Sequence, residues 1–311
     1  MLRKTVEFAT PGTRLSVAHR QLIVERPDAA KVSLPIEDLG VVVVDDLRAT
    51  YTQAVFIELL GAGATVLVSG RDHLPAGMML PLDAHHIQTE RHLAQVEASA
   101  PIKKRIWQAL VIAKINQQSA VLTHFTRSDA GLAPLSKRVR SGDPDNLEAQ
   151  AAQRYWPCLF GKEFRRDREA EGVNALLNYG YAVLRAAIAR AVVASGLIPS
   201  LGVFHRRRSN PFCLADDLLE PYRPFVDWRV RLLRDEGGGA PLSLDDRATR
   251  AAILTLFNET VLVGGRRNPM LLAIQASAAS LCRALTEGEP ALCLPQGLPL
   301  EPDLLDGEGS E

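Results

Sequence analysis

The sequence predicts an α+β protein: a small N-terminal antiparallel β domain over residues 1–85, a larger all-helical domain over 86–285, and an acidic, flexible tail over 286–311. Three observations carry this expectation. Short runs rich in Val, Leu and Ile recur between turn residues up to about residue 82. From about Ile87 the texture changes to long helical periods that persist to about Leu285. From Thr286 onward there are seven acidic residues, four prolines and no Lys or Arg, a composition that cannot bury a core.

The elements follow in order. Lys4 to Phe8, Arg14 to Ala18, Gln21 to Glu25, Lys31 to Pro35 and Val41 to Val44 read as strands, separated by Pro11-Gly12, Pro27-Asp28 and Asp38-Leu39-Gly40. Thr50 opens an apolar-periodic helix that ends at Gly61 and Gly63, and Thr65 to Val68 and Met78 to Leu80 return to strand. The glycines at 61 and 63 lack the further glycine or the Gly-Lys-Ser/Thr of a phosphate loop, so they read as a helix stop. In the second part, Pro101 to Phe125 reads as a core helix with Lys103, Lys104 and Arg105 on its first turn. Asp143-Pro144 reads as a helix entry with Asp as cap, placing Glu148 in the first turns. Asn174 caps an almost uniformly apolar helix that closes at Gly196. Ser243 opens another helix that runs to Gly264-Gly265, and Asn268-Pro269 caps a last one reaching Leu285.

Composition sets the bounds on function. The chain has 311 residues, 47% of them hydrophobic, enough for a full core and for two domains. Lys and Arg number 36 and so do Asp and Glu, so nucleic-acid binding would have to rest on local patches. Four cysteines without CxxC spacing fit reduced structural thiols. The N-terminus lacks an apolar signal core and Arg185 and Arg190 interrupt the most apolar helix, so the expectation is a soluble cytoplasmic protein with no membrane partner.

Chemistry concentrates between Leu201 and Asp227, LGVFHRRRSNPFCLADDLLEPYRPFVD. Residues three apart on a helix share a face, so Asp217 and Glu220 can present two carboxylates to one point that His205 can also reach, with Glu148 as an upstream third carboxylate. Two carboxylates and an imidazole suit Mg²⁺ or Mn²⁺ and leave positions for water and phosphate, while Arg206, Arg207, Arg208 and Arg223 could hold phosphates. The same residues admit a purely structural account: Glu148 solvated on its helix, Asp217 and Glu220 paired with Arg206 to Arg208 or Arg223, and His205 packed. A second basic patch, Lys162, Arg165, Arg166 and Arg168 among Tyr155, Trp156, Phe160 and Phe164, could grip a duplex or form a solvated face. No GxSxG elbow supports serine nucleophile chemistry.

Four motifs in order, Glu148 in NLEAQAAQRYWPCLF, NALLNYGYAVL from Asn174, His205 after GLIPSLGVFH, and DLLEPYRPFVD from Asp217, resemble the CRISPR-associated integrase family, the spacer-acquisition endonucleases of bacterial adaptive immunity. The EPYRP wording is closest to versions found with type II systems. The resemblance implies that Glu148, His205 and Glu220 coordinate Mg²⁺ or Mn²⁺ and are the catalytic set, with Asp217 a supporting acid. It implies that the 3′-hydroxyl of a captured double-stranded DNA prespacer attacks a phosphodiester at the edge of CRISPR repeat DNA. It also implies a homodimer formed through the β domains, and a heterohexamer built with a small CRISPR-associated partner protein. The other activity open to the same ligands is a stand-alone metal-dependent endonuclease acting on branched or single-stranded DNA, with water as nucleophile. A DNA-binding scaffold with a degenerate site would require Glu148, His205 or Glu220 to be dispensable.

Overall fold

The computed structural model describes residues 3–238 and 242–300. The first part alternates short strands with one helix: β1 (Lys4–Phe8), β2 (Arg14–Ala18), β3 (Gln21–Glu25), β4 (Val32–Pro35), β5 (Leu39–Val44), β6 (Thr50–Tyr51), α1 (Gln53–Gly61), β7 (Thr65–Ser69) and β8 (Pro75–Met79). These strands form two four-stranded sheets, ordered β1-β5-β7-β8 and β4-β3-β2-β6. The expected antiparallel domain is therefore corrected to a mixed one. β5 pairs in parallel with both β1 and β7, β6 pairs in parallel with β2, and the remaining pairs are antiparallel.

The sequence of β5 explains this arrangement. LGVVVV is apolar at every position and every residue is buried, the pattern of a central strand covered on both faces. Val42 and Val44 join Leu15, Leu22, Val55, Leu59 and Val66 in one core beneath α1, while Val41 and Val43 join Leu67 in the core of the helical part.

The second part comprises α2 (Gln88–Glu97), α3 (Ala100–Thr126), α4 (Leu132–Ser136), α5 (Leu147–Phe160), α6 (Val173–Ala194), α7 (Cys213–Leu219), α8 (Arg223–Glu236), α9 (Arg247–Leu254), β9 (Thr260–Val263), β10 (Arg266–Pro269), α10 (Met270–Glu287) and β11 (Pro295–Leu300). α6 is the central post. It packs on β5, β7 and β8 on one side and on α7, α8, α9 and α10 on the others. Close packing against α8 depends on Gly180, where an added Cβ would lie 2.4 Å from Val226 Cγ1 and 3.3 Å from Ile253 Cγ2. α6 is long and apolar enough to cross a membrane, but 78% of that apolar window is buried inside the protein.

The second part is not all-helical. β9 lies between β10 and β11 in a three-stranded antiparallel sheet. The expected helix through Gly264-Gly265 gives way here because both glycines adopt positive φ, 57° and 75°, and turn TVLV back on RRNP as a two-residue hairpin. α9 itself starts later than expected, at Arg247, with Asp246 accepting from the Ala248 and Thr249 amides. The segment expected to be a flexible tail contributes β11 through Leu300, and residues 301–311 lie outside the described part of the chain.

Candidate functional site

The candidate site is assembled from α3, α5, α7 and the loop before α7. Asp143 accepts from the amides of Leu147 and Glu148 at 2.9 and 3.0 Å, capping α5 from four residues ahead and fixing the start of the helix that carries Glu148. After α7 the chain tightens into a single 3₁₀ turn, Glu220–Tyr222, which delivers Glu220 against the middle of α3.

There both glutamates meet a side chain that the sequence reading did not single out. Lys114 donates to Glu148 Oε1 and to Glu220 Oε2, the latter at 2.5 Å, while Arg223 Nε donates to the other oxygen of Glu220 at 2.9 Å. Lys114 and Glu220 are buried and Glu148 is half-buried. Burial alone would push the Lys114 ammonium down, but the Glu220 and Glu148 carboxylates outweigh it and hold its pKa above the ordinary lysine value. Burial would likewise push Glu220 up, yet Arg223 and Lys114 hold it down at about 2. The signal for Lys114 was present in the sequence: it falls on the stripe of Leu110, Val111, Ile115 and Gln118, where a lone lysine interrupts a buried helix face.

Asp217 turns the other way. Fully buried, it accepts from the amides of Val203, Phe204 and His205 at 2.6, 3.1 and 3.1 Å and bonds His205 Nδ1 at 2.7 Å. The two carboxylates expected to face one point therefore face two: Asp217 the loop, Glu220 the helix α3. Gly202 is required where the loop meets Asp217, because a Cβ there would lie 2.4 Å from the His205 carbonyl oxygen and 2.7 Å from Asp217 Oδ2. The bond from Asp217 holds His205 above the usual imidazole pKa against the opposing effect of burial. Nε2 of His205 is left with no hydrogen-bond partner among the described residues. Phe204 stacks on Trp107 with ring centroids 4.0 Å apart, and His205 meets Trp107 edge-on.

His205 opens into a cleft of about 790 Å³ lined by Arg166, Arg168, Arg185, Arg206, Arg207 and Arg223, with Asp216 as its acidic member. Arg185 neutralises Asp216 through a two-point contact, and Asn210 donates to the same carboxylate. The cleft is thus a concentration of guanidinium groups in a chain of zero net charge. Arg166 is held in it by Asn174 and Asn178 at 2.9 and 2.6 Å, and Arg223 lies over the Tyr181 ring at 4.6 Å. Arg208 is exposed beyond the cleft. Lys162 and Arg165 are exposed along a neighbouring groove with Trp156 and Phe164, the aromatic rings packed on one another. The structural account from sequence holds in one part: Glu220 does pair with Arg223, whereas Asp217 pairs with His205 and with no arginine.

Beneath the cleft Asp227 accepts from Tyr155 at 3.0 Å and from Tyr181. Burial pushes Asp227 up to about 6, and the two tyrosine hydrogen bonds offset only part of this. An unfolded aspartate titrates near about 3.9, so the folded state binds the extra proton between the two values. The stability from this group is complete below about pH 4 and is lost as pH rises through about 6. Asp227→Asn is expected to remove that decline, worth up to about 3 kcal/mol. Urea denaturation at pH 4 and pH 7 measures it, and equal pH slopes in wild type and variant would sink the assignment.

Among the described residues no group of three or more His, Cys, Asp or Glu side chains stands close enough together to hold a metal ion. The donor chemistry nevertheless fits one. Glu148 and Glu220 already share a single cation, Lys114, and the free Nε2 of an imidazole pinned at Nδ1 is the usual presentation of a metal-binding histidine.

Two carboxylates sharing a cation beside a guanidinium-lined cleft, on a mixed-sheet module joined to a helical body, define a protein suited to holding a polyanion next to a cation position. The family model for CRISPR associated protein Cas1 matches residues 8–238, and the chain belongs to that family. It is 36% identical over 293 residues to the CRISPR-associated endonuclease Cas1 of Neisseria meningitidis serogroup C, covering 93% of this chain and 95% of that protein. Among solved structures, a casposase bound to its integration product superposes with a TM-score of 0.77 at 20% identity, covering 93% of this chain and 92% of the casposase. A Cas6-RT-Cas1–Cas2 complex superposes with a TM-score of 0.70 at 19% identity, covering 93% of this chain and 35% of the chain compared.

Proposed function

We propose that this Cas1 family member is a metal-dependent DNA integrase of a type II system that inserts prespacers into a CRISPR array. The observation that carries the proposal is the Glu148–Glu220 pair, joined through one cation next to the arginine-lined cleft. The endonuclease name of the Neisseria relative and the casposase bound to an integration product support it.

In this reading Glu148, His205 and Glu220 hold Mg²⁺ or Mn²⁺, which when bound polarises a phosphoryl oxygen and steadies charge on the entering and leaving oxygens. Asp217 orients His205 through Nδ1. Arg206, Arg207 and Arg223 hold the phosphates flanking the reacting one, while Arg208, Lys162, Arg165 and Arg166 extend the grip along the duplex. The prespacer 3′-hydroxyl forms one phosphodiester as the repeat-edge phosphodiester breaks, so the exchange needs no external energy source. The likeness to a chain of a complex containing Cas2 supports a small CRISPR-associated partner. We place homodimer contacts on the N-terminal β domain, residues 1–85, and the chemistry in residues 86–285, in a heterohexamer working in the cytoplasm.

The test is label transfer. A labelled duplex with free 3′-hydroxyls, a supercoiled plasmid bearing a repeat, Mn²⁺ and the purified protein, with and without its small partner, are expected to yield labelled relaxed plasmid. Cutting of branched or single-stranded DNA with no label transfer would replace the integrase with a stand-alone endonuclease.

A further inference from the structure

Lys114 is the one charged side chain buried on the 27 residues of α3, and its two polar side-chain contacts among the described residues are the two glutamates proposed to hold metal. With Arg223 on the second oxygen of Glu220, the group comprises two carboxylates and two cations and is already electrically neutral. Neither oxygen of Glu220 is free. Mg²⁺ binds oxygen ligands at about 2.0–2.1 Å, and the Lys114 ammonium stands 2.5 Å from Glu220 Oε2. Two cations cannot share those oxygens at such separations without strong repulsion in a buried setting.

We infer that Lys114 is an internal counter-cation that occupies the ion position between Glu148 and Glu220 and is displaced when a divalent ion enters. It keeps two like charges from α5 and the 3₁₀ turn together without metal, and it lowers metal affinity below what the same carboxylates would give alone. Displacement is favoured when phosphates enter the adjoining cleft, because they supply negative charge for the surplus of cations. Metal loading and DNA loading are thereby coupled. Lys114 is in these terms a positioning residue, acting through Glu148 and Glu220. The inference rests on the metal site proposed above.

The experiment uses the full chain and Mn²⁺ as probe, with binding followed by calorimetry and by the Mn²⁺ resonance signal. Lys114→Met, close in length but uncharged, is expected to bind Mn²⁺ at least about tenfold more tightly than wild type. It is also expected to melt lower than wild type in chelator, with a larger upward shift on Mn²⁺ addition. In wild type, lysine acylation read by mass spectrometry is expected to leave Lys114 unlabelled in chelator and to label it at saturating Mn²⁺. Unchanged or weaker Mn²⁺ binding by Lys114→Met, or a Lys114 that stays protected at saturating Mn²⁺, overturns the inference. If the variant does not fold, the labelling of wild type decides. Glu220→Gln separates the two layers. Wild-type Mn²⁺ affinity in Glu220→Gln would refute the metal site itself, whereas lost binding there without tightening in Lys114→Met would refute only the role of Lys114.

Discussion

Glu220→Gln is expected to reduce strand joining by about 10²- to 10³-fold, the range for removing one group that stabilises charge in a reaction. The reason is geometric. Glu220 is the carboxylate on which Lys114 and Arg223 both converge, so its neutralisation removes half of the acidic pair, leaves buried Lys114 with Glu148 alone and takes the carboxylate partner from half-buried Arg223. Breaking a buried ion pair by removing one partner costs about 3–5 kcal/mol, and the loss carries a pH signature. Glu220 is held at about 2, below the unfolded value near about 4.3, so its contribution is present above the unfolded value and is lost as pH falls through about 2. The stability gap between wild type and Glu220→Gln should therefore be full at pH 7 and shrink below about pH 4. Label transfer and urea denaturation at the two pH values measure both effects. Joining within about tenfold of wild type would remove Glu220 from the site.

The second large effect belongs to Asp217. Asp217→Ala leaves three backbone amides of the His205 loop and His205 Nδ1 without their acceptor in a position with no solvent exposure. Each unsatisfied buried donor costs about 1–3 kcal/mol, so with partial relaxation the variant should lose about 3–5 kcal/mol. Its effect on chemistry is smaller than that of Glu220, about 10- to 100-fold, the range for losing the group that orients a metal-binding histidine. Saturating Mn²⁺ should recover part of the joining activity and little of the lost stability. A variant as stable as wild type would show that the loop is held by the Trp107–Phe204 stack instead of by Asp217.

How much of this was legible in the sequence depends on the range of the interaction. β1, β2 and β3 fall where their local patterns placed them, because alternation and turn residues are written within a few positions. Parallel pairing of β1 with β5 was not legible, since Lys4 finds Leu39 only after the chain has made three further strands. The GlyGly hairpin was hidden because the short apolar run TVLV, following directly on helical ILTLF, satisfies a helix and a strand equally. In the site, the individual carboxylates were visible but their directions were not. A spacing of three puts Asp217 and Glu220 on one face of an ideal helix, yet α7 ends at Leu219 and the following 3₁₀ turn aims Glu220 at α3 while Asp217 stays with the loop. Glu148 and Glu220 meet 72 positions apart through a third residue, Lys114, and no local pattern records such a convergence.

The double burial of β5 has a mechanical consequence. Val41 and Val43 face the helical core while Val42 and Val44 face the core under α1, so no plane separates the two parts of the molecule without passing through this strand. Opening a hinge there would wet apolar surface that is dry on both sides, at about 25 cal/mol for every Å² exposed. Of the N-terminal strands, β5, β7 and β8 carry this contact with α6. Moving the N-terminal sheets relative to α6 and the arginine cleft would therefore have to open one of the two cores that meet at β5.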